Sequence, residues 1–343
     1  MRAEEYPIRT DLALETQEKI QKDEGELKGV DFYQEDRGNG ITVSTLTILT
    51  ENAAKNMGRP RGHYITIEAP EMVEDDESGH REISLELADI LRDLIVKKLE
   101  KTGKHMPAEK KRQKKASEDE SGLEKLSILL VGLGNREVTP DALGPRVIDN
   151  MFITRHIIKE FGKYAFGDEK ISKISGIVPG VMAQTGMECL EIVRGVVKET
   201  GPDVVITVDA LAARNAKRLG RTIQLTDTGI TPGSGVGNHR NALNEKSVGV
   251  PVISLGVPTV VDAATIVSDA MSSLVEAMSI SNIEKLDEKE RQELARELLS
   301  PQLNGMFVTP KDIDDSIKRL SFLISEGINI ALLGNKEVDT NIK

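Results

Sequence analysis

The stretch that most constrains the fold of this 343-residue chain is Ile128-Leu-Leu-Val-Gly-Leu-Gly-Asn-Arg-Glu-Val-Thr-Pro-Asp141. An apolar run leads into two closely spaced glycines. A helical pattern follows, with Val147, Met151 and Phe152 on one side. The sequence therefore reads strand, glycine turn, helix, the junction at which open α/β sheets place their working residues. Two further runs, Val204–Val208 and Val252–Leu255, are equally continuous. Unbroken apolar runs belong to strands covered on both faces, whereas alternation marks strands with one wet face. Helical patterns separate them. Thr185-Gly-Met-Glu188 has capping-box spacing and is expected to open a helix through Val197. Asp262 is expected to cap another that runs to about Met278. Alternating strands and helices predict a doubly wound α/β fold.

The flanks are simpler. Residues 1–37 are strongly charged, with a short helix expected from Leu14 to Ile20. Ile41–Leu49 is rich in β-branched residues and His63–Ala69 resembles it; the two predict neighbouring strands. Arg81–Lys98 carries Leu85, Leu87, Ile90, Leu91, Leu94 and Ile95 at helical spacing. Residues 101–122 hold a basic block and then an acidic one, which reads as a solvated, disordered insertion. Glu284–Leu299 and Asp312–Glu326 predict charged helices. The six-residue likeness between Leu133–Val138 and Leu333–Val338 is too short to make a repeat architecture.

Composition excludes several functions. The net charge of −11 argues against direct binding of nucleic acid. With no Trp and 3% aromatic residues, base-stacking platforms are not expected either. Cys189 is the one cysteine, so neither an internal disulfide nor a cysteine metal site can form, which fits a reducing compartment. The first residues lack the apolar core of a signal segment, and no run approaches a membrane span. The expectation is a cytoplasmic enzyme without a membrane partner.

The chemistry is expected at two carboxylates. Asp209 directly follows Val-Val-Ile-Thr-Val, and a charge there must leave the core or be paired. Asp141 precedes a helix with Pro145 in its first turn, where an aspartate is an ordinary N-cap. That role is compatible with catalysis, because a helix N-terminus favours the ionised carboxylate. Two such side chains at two strand ends can meet in one cleft and divide acid and base work.

Other motifs are weaker. Gly132-x-Gly134 lacks the third glycine of a dinucleotide fingerprint, since Glu137 stands there. Its backbone amides, through Asn135, are candidate oxyanion donors. Thr231-Pro-Gly-Ser-Gly-Val-Gly-Asn-His239 lacks both the phosphate-loop ending and the nucleophile-elbow spacing. It reads as a glycine loop able to grip an extended peptide, with Gly235 and His239 nearest the cleft. His63, His80, His105 and His156 show no metal spacing, and His156 is expected on the helix after Asp141. Two alternatives stay open from the residues: a metal peptidase built on Asp141, Asp209 and His239, and a binding scaffold in which both aspartates are caps.

Several long strings of this chain resemble the germination proteases of endospore-forming bacteria. They are Ile8-Arg-Thr-Asp-Leu-Ala, Gly132–Pro145, Pro179–Glu188, Val208–Arg214, Asp227–Asn238 and Gly256–Ala263. The resemblance implies a three-layer α/β/α sandwich with a mostly parallel central sheet, akin to the hydrogenase-maturation proteases. It implies an endopeptidase, active on small acid-soluble spore proteins in germination and needing no cofactor. It implies a homotetrameric zymogen in the forespore or spore core that removes its own propeptide. Carried over by motif, the catalytic carboxylates are Asp141 and Asp209, and the self-processing bond is Asp11–Leu12. The expected organisation is then a propeptide, 1–11, and a single peptidase domain, 12–343.

Overall fold

The computed structural model describes residues 10–24, 27–74, 76–101, 123, 126–162, 165, 171–234, 240–263, 265–267, 270 and 305–334. Within them one mixed sheet runs through the protein. Its strands are β1 (Val30–Gly38), β2 (Ile41–Ile48), β3 (Gly62–Glu68), β4 (Ser127–Gly132), β5 (Lys173–Ile177), β6 (Val204–Ala213), β7 (Thr222–Thr226), β8 (Val252–Asp262) and β9 (Phe307–Val308). The spatial order is β1-β2-β3-β7-β8-β6-β4-β5, with β9 beside β8. The pairs β5–β4, β4–β6 and β6–β8 are parallel. Of these, β4, β6 and β8 carry the continuous apolar runs, whereas β5, Lys-Ile-Ser-Gly-Ile, does not. An antiparallel wing of β7, β3, β2 and β1 extends the sheet beyond β8.

The helices are α1 (Ala13–Glu24), α2 (Glu51–Met57), α3 (Glu77–Lys101), α4 (Leu143–Asn150), α5 (Arg155–Phe161), α6 (Met182–Thr185), α7 (Cys189–Thr200), α8 (Glu245–Val248) and α9 (Ile313–Leu333). Side chains alternate across each strand, so each strand serves two cores. On one face Ile128, Leu130, Ile206, Val208, Ile253 and Leu255 pack against α3, α4 and α9. On the other, Leu129, Val131, Val205 and Val252 pack against Val193 and Val197 of α7 and Val248 of α8. On that second face the wing is covered by α1 and α2, through Ala13, Leu46, Ile48, Ala53, Met57 and Tyr64. The architecture is thus a three-layer α/β/α sandwich. No helix among the described residues is long and apolar enough to cross a membrane.

Local expectations are revised at three places. Thr185 does not open α7. It ends α6, whose C-cap Gly186 is left-handed, and α7 starts after Glu188, whose N–H donates to Glu191 at 2.8 Å. His156 is exposed on the separate helix α5, because α4 stops at Asn150. Asp141 is not the α4 cap. The cap position is Ala142, and Asp141 sits one residue earlier in a 3-10 turn, Thr139–Asp141. The 101–122 insertion (apart from Lys101), the helix expected at 284–299, most of the one after Asp262, and the second copy of the six-residue string beyond Gly334 lie outside the described residues.

Candidate active site

β4 is shorter than its neighbour, and that difference makes the site. Its pairing with β6 ends at Gly132 opposite Val208. β6 continues to Ala213, still paired with β8 on its other side. From Asp209 onward one side of β6 is therefore left by β4. Asp209 is the first residue in that stretch, and its side chain lies on the face of Val205 and Thr207. It is 4% exposed, with one carboxylate oxygen accepting the Ala210 N–H at 2.9 Å.

Asp141 is brought to the same place by the turn after β4. The α4 backbone crosses β4 and β6 closely. A Cβ on Gly144 would lie 2.4 Å from the carbonyl oxygens of Leu133 and Val208, so only glycine fits. Gly134 has φ +108°, and a Cβ there would sit 2.0 Å from the Asp141 carbonyl oxygen and 3.0 Å from its Oδ1. The glycines thus let the loop fold back until the Asn135 N–H donates to Asp141 Oδ2 at 2.7 Å. That N–H is committed to Asp141. Gly132 is paired into the sheet, and Gly134 shapes the turn.

Asp141 and Asp209 line one cavity of about 450 Å³, together with Leu133, Gly134, Cys189 and Arg240. Asp11 and Glu188 are the other carboxylates on its wall. Burial raises Asp141 to about 6, against the pull of the Asn135 N–H toward the ionised form. Asp209 is held well above the ordinary carboxylate range, first by burial, then by the charges of Asp141 and Asp11. The Cys189 thiol is pushed up to about 12 by burial, with Asp209 and Glu188 adding to it, so it stays protonated.

The N-terminal segment occupies the side of β6 that β4 leaves. The Asp11 N–H donates to the Ala212 carbonyl at 2.8 Å, and the Ala212 N–H donates to Asp11 Oδ2 at 2.9 Å. The first is a backbone bond of the kind by which an added strand binds a sheet edge, and the second is made to the Asp11 side chain. The second Asp11 oxygen accepts from Ser234 Oγ at 2.7 Å. Leu12 is fully buried against Leu211, Ala213 and Val261. Arg59, a buried guanidinium, donates to the Thr10 carbonyl at 3.0 Å. Gln224 Nε2 donates to the Asp11 carbonyl at 2.9 Å, and its Oε1 accepts the Ala13 N–H at 2.6 Å. Downstream, the buried Glu15 accepts the N–H groups of Arg214 and Asn215 at 2.7 and 2.9 Å, which fixes the start of α1 on the loop after β6.

Asp11, Leu12, Asp141 and Asp209 thus meet around one end of β6. Gly235 and His239 lie outside the described residues. So does His105, while His63 pairs with Asp227 at 2.9 Å, away from this cavity. Among the described residues no three His, Cys, Asp or Glu side chains form a cluster fit to hold a metal ion. Sequence reasoning missed Arg59, Ala212 and Gln224. For Gln224 there was a signal. Thr222, Gln224 and Thr226 alternate with Ile223 and Leu225, so one face of β7 is polar throughout.

Comparison with known proteins places the chain in a family. The family profile described as germination protease matches residues 8–280 and 276–342. A germination protease of Caldanaerobacter subterraneus is 44% identical, covering 95% of this chain and 94% of that one. One from Clostridium perfringens is 40% identical over 96% of each chain. A solved [NiFe] hydrogenase maturation protease, HycI of Thermococcus kodakarensis, is 19% identical over 60% of this chain and 94% of that one, at a TM-score of 0.29. That last likeness is too slight to bear on the site, and the fold rests on the sheet topology above. With a profile match and relatives that both span nearly its whole length, the chain belongs to the germination protease family.

Proposed function

We propose that this protease is an endopeptidase for small acid-soluble spore proteins, made as a homotetrameric zymogen in the forespore cytoplasm and cut by itself at Asp11–Leu12. The observation that carries the reading is the placement of the Asp11–Leu12 segment. It is held along β6 in a cavity that both Asp141 and Asp209 line. The arrangement also fits selection for an acidic residue before the cut and an apolar one after it. The Asp11 carboxylate meets an N–H and a hydroxyl, and Leu12 fills an apolar pocket.

The chemistry is an atypical aspartic-type hydrolysis. Two neighbouring buried carboxylates do not both ionise readily, so one keeps its proton. Asp209 is the more deeply buried and faces two other carboxylates, so it is the member that keeps the proton. Asp141, supported by the Asn135 N–H, is the member that ionises. Asp141 takes a proton from water as the oxygen attacks the Asp11 carbonyl carbon. Asp209 passes its proton to the leaving Leu12 nitrogen as the C–N bond breaks. Peptide and water become a carboxylic acid and an amine, and the pair as a whole returns to its starting charge.

The test is incubation of the purified full chain followed by sequencing of any new N-terminus. A new N-terminus at Leu12 in the wild type, absent in Asp141→Asn and Asp209→Asn, is the expected result. Cleavage at an unchanged rate in either variant overturns the pairing.

A further inference from the structure

The chemistry just proposed leaves the developing negative charge on the Asp11 carbonyl oxygen without a partner. Two of the expected donors are already committed: the Asn135 N–H to Asp141, and Gly132 to the sheet. The donor that does reach this oxygen is the side-chain amide of Gln224, at 2.9 Å.

Its position follows from strand register. Asp209 of β6 lies opposite Gly256 of β8, and Gly256 lies opposite Gln224 of β7. Paired residues point to the same face of a sheet. Asp209 and Gln224 therefore stand on one face, two strand spacings or about 10 Å apart. Between them is a residue without a side chain. A Cβ on Gly256 would meet the Asp209 carbonyl oxygen at 2.6 Å and Leu211 Cγ at 2.8 Å. The sheet thus presents a carboxylate and an amide to one segment from two sides.

Gln224 is buried, at 7% exposure, and both ends of its amide are in use. Nε2 donates to the carbonyl of residue 11, and Oε1 accepts the N–H of residue 13. This two-point grip straddles the Asp11–Leu12 bond and fixes the register of the segment. A buried amide with both hydrogen bonds fixed is pre-oriented, and a pre-oriented donor stabilises charge that appears in the transition state.

We propose that Gln224 is the electrophilic donor of this peptidase, holding the carbonyl oxygen of the scissile bond and fixing its register through the amide two residues on. The inference rests on the assignment of Asp11–Leu12 as the bond that is cut. When the Asp141-activated water adds to carbon, the C=O π electrons move onto oxygen, and the Gln224 N–H holds that charge until the C–N bond breaks. A second chain cut in trans would be held in the same register.

The experiment follows self-processing of the full-length chain, with the first-order rate read from the appearance of the Leu12 N-terminus. Gln224→Met keeps the volume and removes the donor, and it should slow the step by roughly 10²–10³-fold. Gln224→Glu separates a catalytic from a merely structural role. As a carboxylate it cannot donate to the oxygen; once protonated it can. Its rate relative to wild type should therefore climb as pH falls, whereas a structural role predicts a pH-independent ratio. Thermal melting of each variant establishes that the chain is folded. Wild-type rates in a folded Gln224→Met chain, with Asp141→Asn and Asp209→Asn inert, overturn this inference alone. Cleavage at another bond in the wild type, or at wild-type rate in an Asp variant, overturns the underlying reading instead.

Discussion

The Asn135 N–H donates to Asp141 at 2.7 Å, and this bond draws Asp141 toward its ionised form while deeper burial holds Asp209 protonated. Burial pushes both upward. Only Asp141 has a donor from another part of the chain, while Asp209 has the adjacent Ala210 N–H and two carboxylate neighbours. The asymmetry is local and geometric. It comes first from the deeper burial of Asp209 and its two carboxylate neighbours, and then from the loop that folds back over Gly134 and brings the Asn135 N–H to Asp141.

The first prediction concerns the pH profile of cleavage. The rate should rise as Asp141 ionises near pH 6 and fall again at higher pH as Asp209 gives up its proton. A rate-against-pH curve of self-processing checks this. A rate already maximal at pH 4 would contradict the assignment of Asp141 as base.

Stability should run the other way. Asp141 titrates higher in the folded chain than its ordinary 3.8, so the folded state binds its proton more tightly than the unfolded one. That contribution is complete below pH 3.8 and is lost as pH rises through about 6. At neutral pH the loss is roughly 2–3 kcal/mol for Asp141, at about 1.4 kcal/mol per pKa unit. Asp141→Asn should therefore be inert, by roughly 10³-fold or more, and more resistant to urea than wild type at pH 7. Urea melts at pH 5 and 7 should show the gap widening with pH.

Gly134→Ala should disable the enzyme although both carboxylates are retained in the sequence. The new methyl would overlap the Asp141 carbonyl at 2.0 Å, on a backbone with φ +108°. The loop must open, and Asp141 loses its donor. Self-processing should fall by roughly 10²-fold or more, since small displacements of a reacting group cost that much. A chain that folds and cleaves normally would show that the loop tolerates the shift.

Recognition of the acidic residue should depend on Ser234. Its hydroxyl donates to the Asp11 carboxylate, and hydrogen bonds to charged groups contribute about 1.5–3 kcal/mol. Ser234→Ala should slow cleavage after Asp11 roughly 10-fold or more, while an Asp11→Asn chain should be much less sensitive to the same change. The double-mutant cycle on processing rates measures the coupling, and additive effects would dissociate Ser234 from this carboxylate.

Leu12 gives a test of docking. It is fully buried between the ends of β6 and β8. Leu12→Ala should weaken the seating of the segment by about 2–5 kcal/mol, the usual range for buried Leu-to-Ala changes. Hydrogen exchange at the Asp11 N–H, bonded to the Ala212 carbonyl, and at the Ala212 N–H, bonded to the Asp11 carboxylate, should accelerate accordingly.

Much of this molecule was legible in one dimension. The continuous runs at Ile128–Val131, Val204–Val208 and Val252–Leu255 marked the strands buried on both faces, because period and continuity are properties of the chain alone. Asp209 stood out for the same reason: a charge directly behind a buried run needs an explanation. Local rules failed where a neighbour in space outcompeted a neighbour in sequence. Asp141 has the spacing of a cap, yet its carboxylate turns to Asn135. Thr185 begins a capping pattern, yet a left-handed glycine closes the previous turn there.

Sequence alone determined which residues are available for chemistry and which strands are buried, since side-chain type and apolar period are written along the chain. Tertiary structure alone decided their company. That Asp141 and Asp209 share a cavity with Asp11, and that Gln224 reaches its carbonyl from two strands away, depends on strand order and register. Those follow from the packing of three layers across a sheet, in which residues more than two hundred positions apart become neighbours.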